Sequence, residues 1–335
     1  MAPLSGTLGY LGREQRNWAR LAVLRANARS GRRFRLVEAD TRLDSDTAAA
    51  RAQQLAANAS VLGVVGPAGS DEVEAVAPAF ARAKLAYVSG SAYRASLTAG
   101  ARPGFFRVIP SDASQAPTAA AYMLSVLRVK HVLVVDDRSA YSIPLADTVQ
   151  RLLRAGGVNV RRDSVGQTQV DYSPVISKVN RNTDAVLLPW QNPAKAQLFG
   201  VELRARGKAA TVFGTDGLFS TDFTLAGSYV TVFAPDPRRI RAAASIVRDY
   251  DRRYGSTWTP LGSPTYVAAQ VVMAAVDRAC RDGKAGRAEV RRFVARTRLA
   301  TSFLGIPISF ARSGDLRRGR FFVYRVVHGK FVFLQ

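Results

Sequence analysis

Two hydroxyl-bearing turns, spaced as the ends of neighbouring strands, carry the first chemistry in this chain. The stretch 61–93 reads VLGVVGPAGSDEVEAVAPAFARAKLAYVSGSAY. Its apolar run Val61-Leu62-Gly63-Val64-Val65 suits a parallel strand covered on both faces. After the Gly66-Pro67 turn, Ser70 opens a helix whose first turn holds Asp71 and Glu72, as the positive end of a helix favours. A second strand then leads to Ser89-Gly90-Ser91. Both turns, at Ser70 and at Ser89–Ser91, fall at one sheet edge, where open α/β sheets bind ligands. Backbone N–H groups exposed there favour an anion such as a carboxylate.

Other chemistry is missing. The 335 residues contain two histidines, His131 at the start of a strand and His328 in a terminal turn, and neither is placed as a base beside a nucleophile. No G-x-S-x-G elbow, Walker loop, G-x-G-x-x-G fingerprint, H-E-x-x-H or EF-hand pattern occurs. Asp40, Asp44 and Asp46 are interrupted by Arg42 and read as a solvated loop with a helix cap rather than a cation site. Asp136-Asp137, next to Arg138, reads as a structural or ligand-edge pair. The single cysteine, Cys280, excludes an intramolecular disulfide and a cysteine metal cluster, and reads as core packing. These omissions argue against an enzyme, and neither a metal nor a cofactor is expected.

Size and composition set the frame. A chain of 335 residues with 47% hydrophobic and 22% charged residues is globular and long enough for two domains. Forty-eight Lys+Arg against 25 Asp+Glu give a net charge of +23. The basic residues are scattered, so they read as a solvated surface and argue against a nucleic-acid partner. No apolar run reaches transmembrane length, and MAPLSGTLGYLG lacks the charged start and apolar core of a signal peptide.

The elements that must position these turns alternate between strand and helix, which predicts parallel sheets with crossover helices. Helices are expected over 14–28, 46–57, 71–83, 114–127, 146–155, 172–180, 194–206, 240–254 and 266–281. Strands are expected over 131–135, 158–160, 185–188 and 211–213. The end, 310–335, reads as β structure with a turn at 328–330.

Taken in order, these residues resemble the branched-chain amino-acid binding proteins of bacterial ABC transporters, which have the type I periplasmic binding-protein fold. The resemblance runs through Pro3-Leu4-Ser5-Gly6, Tyr10-Leu11-Gly12, Gly66-Pro67-Ala68-Gly69-Ser70, Ser89-Gly90-Ser91-Ala92 and Phe106-Arg107 to Asp112. It continues with Tyr141, Asp171-Tyr172-Ser173, Gly214-Thr215-Asp216-Gly217 and Phe310 to Leu316. It implies an α/β chain of two Rossmann-like lobes with a ligand cleft between them: 1–112 and 236–318 in one, 113–235 and 319–335 in the other. It also implies hinge closure on a small amino acid or related carboxylate. The ligand would pass from a periplasmic or extracellular, envelope-associated monomer to ABC permease membrane subunits. A ligand-sensing receptor of the same fold is the alternative.

By the same resemblance, Ser70 and the backbone of Ser91, Ala92 and Tyr93 would hold a carboxylate, and Asp216 would pair with an ammonium. Tyr141 would cover the ligand, Tyr10 and Leu11 would sit at the cleft mouth, and Trp190 and Gln191 would reach the cleft edge, with simple packing the alternative for each aromatic. The chain departs from the family at several points. It begins just after the family's opening strand, Tyr93 replaces a small hydroxyl residue, Asp216 is shorter than the usual glutamate, and Pro189-Trp190-Gln191-Asn192 replaces a Gly/Tyr-rich stretch.

Overall fold

A computed structural model describes residues 1–6, 9–31, 33–100, 102–282 and 286–334. The chain forms two compact units, Met1–Asp112 with Ala234–Gly319, and Ala113–Phe233 with Arg320–Gln335.

In the first unit, β1 (Gly63–Val65), β2 (Ala86–Ser89) and β3 (Phe105–Arg107) form a parallel sheet in that order. Every residue of β2 is buried, because helices cover both faces of the sheet. On one face, helices Gly9–Ser30 and Pro264–Ala279 supply an aromatic core in which Trp18 stacks on Tyr250 with ring centroids 3.9 Å apart. On the other face, helix Ser70–Arg82 presents Val73, Val76 and Phe80, and helix Ser45–Ala57 adds Ala48 and Ala52. Asp44 caps that second helix, its carboxylate accepting from the Thr47 amide at 2.8 Å. The acid cluster expected to be a capped loop is thus committed to structure.

The second unit contains β4 (His131–Asp136), β5 (Asn159–Ser164), β6 (Ala185–Leu188), β7 (Thr211–Gly214), β8 (Tyr229–Val232), β9 (Phe322–Val327) and β10 (Lys330–Phe333). Their order across the sheet is β10-β9-β8-β7-β6-β4-β5. The strands from β4 to β8 run parallel, but β9 is antiparallel to both β8 and β10. The expected parallel strands are present, and the terminal β structure read around the turn at 328–330 adds an antiparallel edge to them. The chain returns to this unit through a hairpin, whose two strands must run in opposite directions.

Several boundaries also differ from those read in the sequence. The first helix starts at Gly9, so Tyr10 and Leu11 lie in its first turn. The helix expected over 172–180 shrinks to Ser173–Ile176, while Arg287–Ala295 forms a helix that the sequence reading omitted. β5 continues to Ser164 as a charged edge strand, a pattern that discourages further pairing. In 310–319 the β structure is limited to a bridge between Phe310 and Leu316.

Candidate functional site

The first unit presents the two turns. Helix Ser70–Arg82 begins after Gly69, whose amide donates to the Glu72 carboxylate at 2.6 Å. Ser70 Oγ accepts from the Arg94 amide at 3.3 Å, which joins the two turns directly. Ser91 Oγ donates to the Ala68 carbonyl at 2.8 Å and accepts from Gln15 Nε2 at 2.9 Å. The structure therefore brings Ser70 and the 91–93 turn together.

It also changes the expected role of the backbone. The Ser91 and Ala92 amides donate to Ser89 Oγ at 3.2 and 2.9 Å, and Ser89 is fully buried. These two N–H groups are already engaged by an internal hydroxyl, and Ala92 is itself buried. What remains at the surface of this turn is half-buried: the Ser70 and Ser91 hydroxyls and the Tyr93 side chain.

A residue not assigned a role in the sequence reading holds this turn in place. Arg107, at the end of β3, is completely buried. Its guanidinium donates to the Arg94 carbonyl at 2.8 Å and to Thr98 Oγ1 at 2.7 Å. Its Nε donates to Asp315 Oδ1 at 2.7 Å, and its Nη2 lies 2.5 Å from the same oxygen in an ion pair. A strand-end arginine so occupied positions the turn and contacts no solvent.

The second unit presents a cluster around a carboxylate. Asp216 lies in a single 3-10 turn just after β7, and Tyr141 immediately precedes helix Ser142–Ala155. Tyr141 Oη donates to Asp216 Oδ1 at 2.7 Å. Gln115 Nε2 donates to the same oxygen and to Thr231 Oγ1, the latter at 3.1 Å, while Gln115 Oε1 accepts from Tyr141 at 3.3 Å. Gln115 and Thr231 are fully buried, whereas Asp216 and Tyr141 are half-exposed. Two neutral donors thus fix an anion at the end of the sheet. Gln115 had no signal in the sequence: it opens helix Gln115–Ser125 as an ordinary polar residue.

The remaining expected contacts divide. Tyr10 is exposed and Leu11 half-buried on the helix turn preceding Gln15. Gln191 is exposed, its Cα lying against Gly217 beside Asp216. Trp190 does not reach an edge. Its indole is 1% exposed, donates to the Val135 carbonyl at 2.7 Å, and packs against Tyr172 and Phe199. The helix Pro193–Ala205 that follows covers the ring, and simple packing is its role.

Asp136 is committed too. Burial alone would raise its pKa, but hydrogen bonds from Ser164 and Arg162 hold it below the ordinary carboxylate value. Among the described residues no group of His, Cys, Asp and Glu is placed to hold a metal ion.

Two α/β units, one ending in hydroxyl-bearing turns and the other in an oriented carboxylate, define a ligand-binding protein of the two-lobed class. Residues 1–330 match the family model of periplasmic binding proteins, and the chain belongs to that family. A relative from Rhizobium johnstonii, the Leu/Ile/Val-binding protein BraC3, is 27% identical over 99% of this chain and 92% of its own. A putative branched-chain amino acid ABC transporter protein from Rhodospirillum rubrum superposes with a TM-score of 0.83 at 24% identity, covering 99% of this chain and 98% of that one. A substrate-binding protein from Streptococcus pneumoniae, solved with isoleucine, gives 0.79 at 21% identity, with the same coverage. These last two likenesses are of fold. No described helix is long and apolar enough to cross a membrane.

Proposed function

We propose that this chain is the extracytoplasmic solute-binding component of an ABC uptake system, capturing a small amino acid or related carboxylate for delivery to a membrane permease. The observation that carries the reading is Asp216 held by Tyr141 and Gln115. A carboxylate oriented by hydrogen bonds at a strand end suits a ligand ammonium as its counter-charge. In the first unit, Ser70 supplies a hydroxyl beside the positive end of a helix, which suits a ligand carboxylate. Binding proceeds without catalysis. The names of the relatives point to the same ligand class, and the half-exposed Tyr93 and Tyr141 supply aromatic surface for its side chain.

A thermal-shift screen against amino acids, small carboxylates and amides tests the reading. A specific amino acid should raise the melting temperature of the folded protein, and Asp216→Ala should abolish the rise. A ligand that lacks an amine yet stabilises both forms equally would overturn the assignment of Asp216.

A further inference from the structure

At the end of the second unit's sheet opposite Asp216 lies a crevice of about 150 Å³. Asp216 follows the C-terminal end of β7, whereas the crevice sits at the N-terminal ends of β4 and β5, in the same parallel run of strands. His131 and Asn159 open those two strands and are cross-strand partners. Arg161, two residues on, shares the face of Asn159. Asn180 and Thr183, from the turn before β6, line the same space, and buried Val132 completes it. None of these six residues is acidic.

Internal hydrogen bonds use up the acceptors around this space and leave donors. Arg161 Nη2 donates to the Lys178 carbonyl and, at 3.5 Å, to Thr183 Oγ1. Its Nε and Nη1 make no hydrogen bond among the described residues. Thr183 Oγ1 donates to Asn180 Oδ1 at 3.2 Å, and the Asn182 amide donates to the same oxygen at 3.0 Å. The carbonyl end of the Asn180 side chain is therefore spent on its own turn, and its amino end remains. His131 Nδ1 lies 4.0 Å from Asp184 Oδ2, which leaves Nε2 on the other side of the ring. That carboxylate oxygen already accepts from the Lys130 and His131 amides at 2.6 and 2.8 Å. Asp163, two residues beyond Arg161, pairs with Lys178 at 2.6 Å. Lys130 and Arg181, the sequence neighbours of His131 and Asn180, are exposed and form no ion pair among the described residues.

We propose that this crevice is a second binding site, separate from the candidate site, for a phosphate ion or phosphate monoester. A lining rich in donors and poor in acceptors, with a guanidinium among them, calls for an anion. The donors come from two strands and a turn, so an anion whose oxygens point in several directions satisfies them better than a flat carboxylate. The volume suits one such group and is well below the roughly 300 Å³ at which sites for larger organic ligands begin. Its Nη2 bonds hold the Arg161 guanidinium before the anion arrives, which spares part of the ordering cost. Lys130 and Arg181 add attraction that salt screens.

The chain has two histidines, so the His131 imidazole resonance reports the crevice and His328, in the turn between β9 and β10, serves as an internal control. Inorganic phosphate and glycerol phosphate are titrated separately into protein carrying isotope-labelled histidine, at constant pH and ionic strength. The His131 signal should shift saturably with a Kd of about 1 mM for at least one of them, while His328 stays in place. The tighter of the two identifies the source as a free ion or an ester. Acetate should bind about tenfold more weakly, and Arg161→Gln should weaken phosphate binding by about the same factor. Asn159→Asp, which sets a carboxylate among the donors, should do likewise. Asn159 is exposed on an edge strand, so this variant carries the test should Arg161→Gln fail to fold. Melting curves verify that each variant is folded. Equal shifts of both histidines, a response still linear far above the millimolar range, or acetate binding as tight as phosphate would overturn the proposal. Unchanged binding in a folded variant would overturn it too.

Discussion

The Tyr141 hydroxyl donates to Asp216 Oδ1 at 2.7 Å across 75 residues of sequence, joining the start of one helix to the turn after a strand in the same unit. That bond aims the carboxylate without neutralising it. Tyr141→Phe should therefore weaken amino-acid binding by about 1 kcal/mol, or five- to tenfold in Kd, while Asp216→Asn should cost about 3 kcal/mol. Titration calorimetry on both variants checks the ranking. Equal losses would mean that Tyr141 contacts the ligand itself.

Arg107 makes the second prediction. Its guanidinium is wholly enclosed, and Asp315 is the carboxylate that balances it. Asp315→Ala leaves a buried cation with carbonyls and a hydroxyl but no counter-charge, so stability should fall by roughly 3 kcal/mol. Arg107→Lys should not restore it, since one ammonium cannot span Asp315, Arg94 and Thr98. Urea denaturation measures both. Ligand affinity should fall alongside stability, because the same side chain ties down the Ser91–Tyr93 turn.

The contrast among these residues shows where sequence suffices. The helix start at Ser70 was legible because glycine, serine and two acids in succession obey local rules. The alternation of strands and helices was legible for the same reason. Gln115 was not, because its meaning comes from Asp216 and Thr231, more than 100 residues away. For Trp190 the sequence left packing and ligand contact open, because a strand end points to a ligand edge only until the next helix folds over it. The antiparallel hairpin at β9 and β10 was visible as β structure, but its placement beside β8 is a tertiary choice. Asp216 stood out through its resemblance to a family; nothing local separates it from a turn-forming aspartate.

Gly217 follows Asp216 where the backbone is crowded. A Cβ there would lie 2.6 Å from the Trp190 carbonyl oxygen and 2.7 Å from Gln191 Cα, and both contacts are backbone. Gly217→Ala must push the 190–191 turn and Asp216 apart. Destabilisation of about 1–3 kcal/mol is expected, with ligand binding lost in the protein that still folds. Denaturation and calorimetry on the same preparation separate the two effects. Unchanged binding would show that Asp216 tolerates displacement and is not the ligand's anchor.

Glu14, on the first helix, gives the chain a pH signature. Burial raises its pKa from the ordinary 4.5 to about 7, opposed by hydrogen bonds from Thr259, whose amide donates at 3.2 Å. Because the folded state disfavours the charged form, this residue weakens stability as pH climbs from about 4.5 through about 7, and adds no further change above that. The half-exposed position limits the effect to about 1–2 kcal/mol. Glu14→Gln keeps the hydrogen-bond acceptor and removes the charge. The variant should match the wild type at pH 4, then exceed it by that margin at pH 8, in melting curves recorded across the range. Parallel curves for the two proteins would show that Glu14 is ionised in the folded state at little cost, with water reaching the carboxylate beside Thr259 and Gly262.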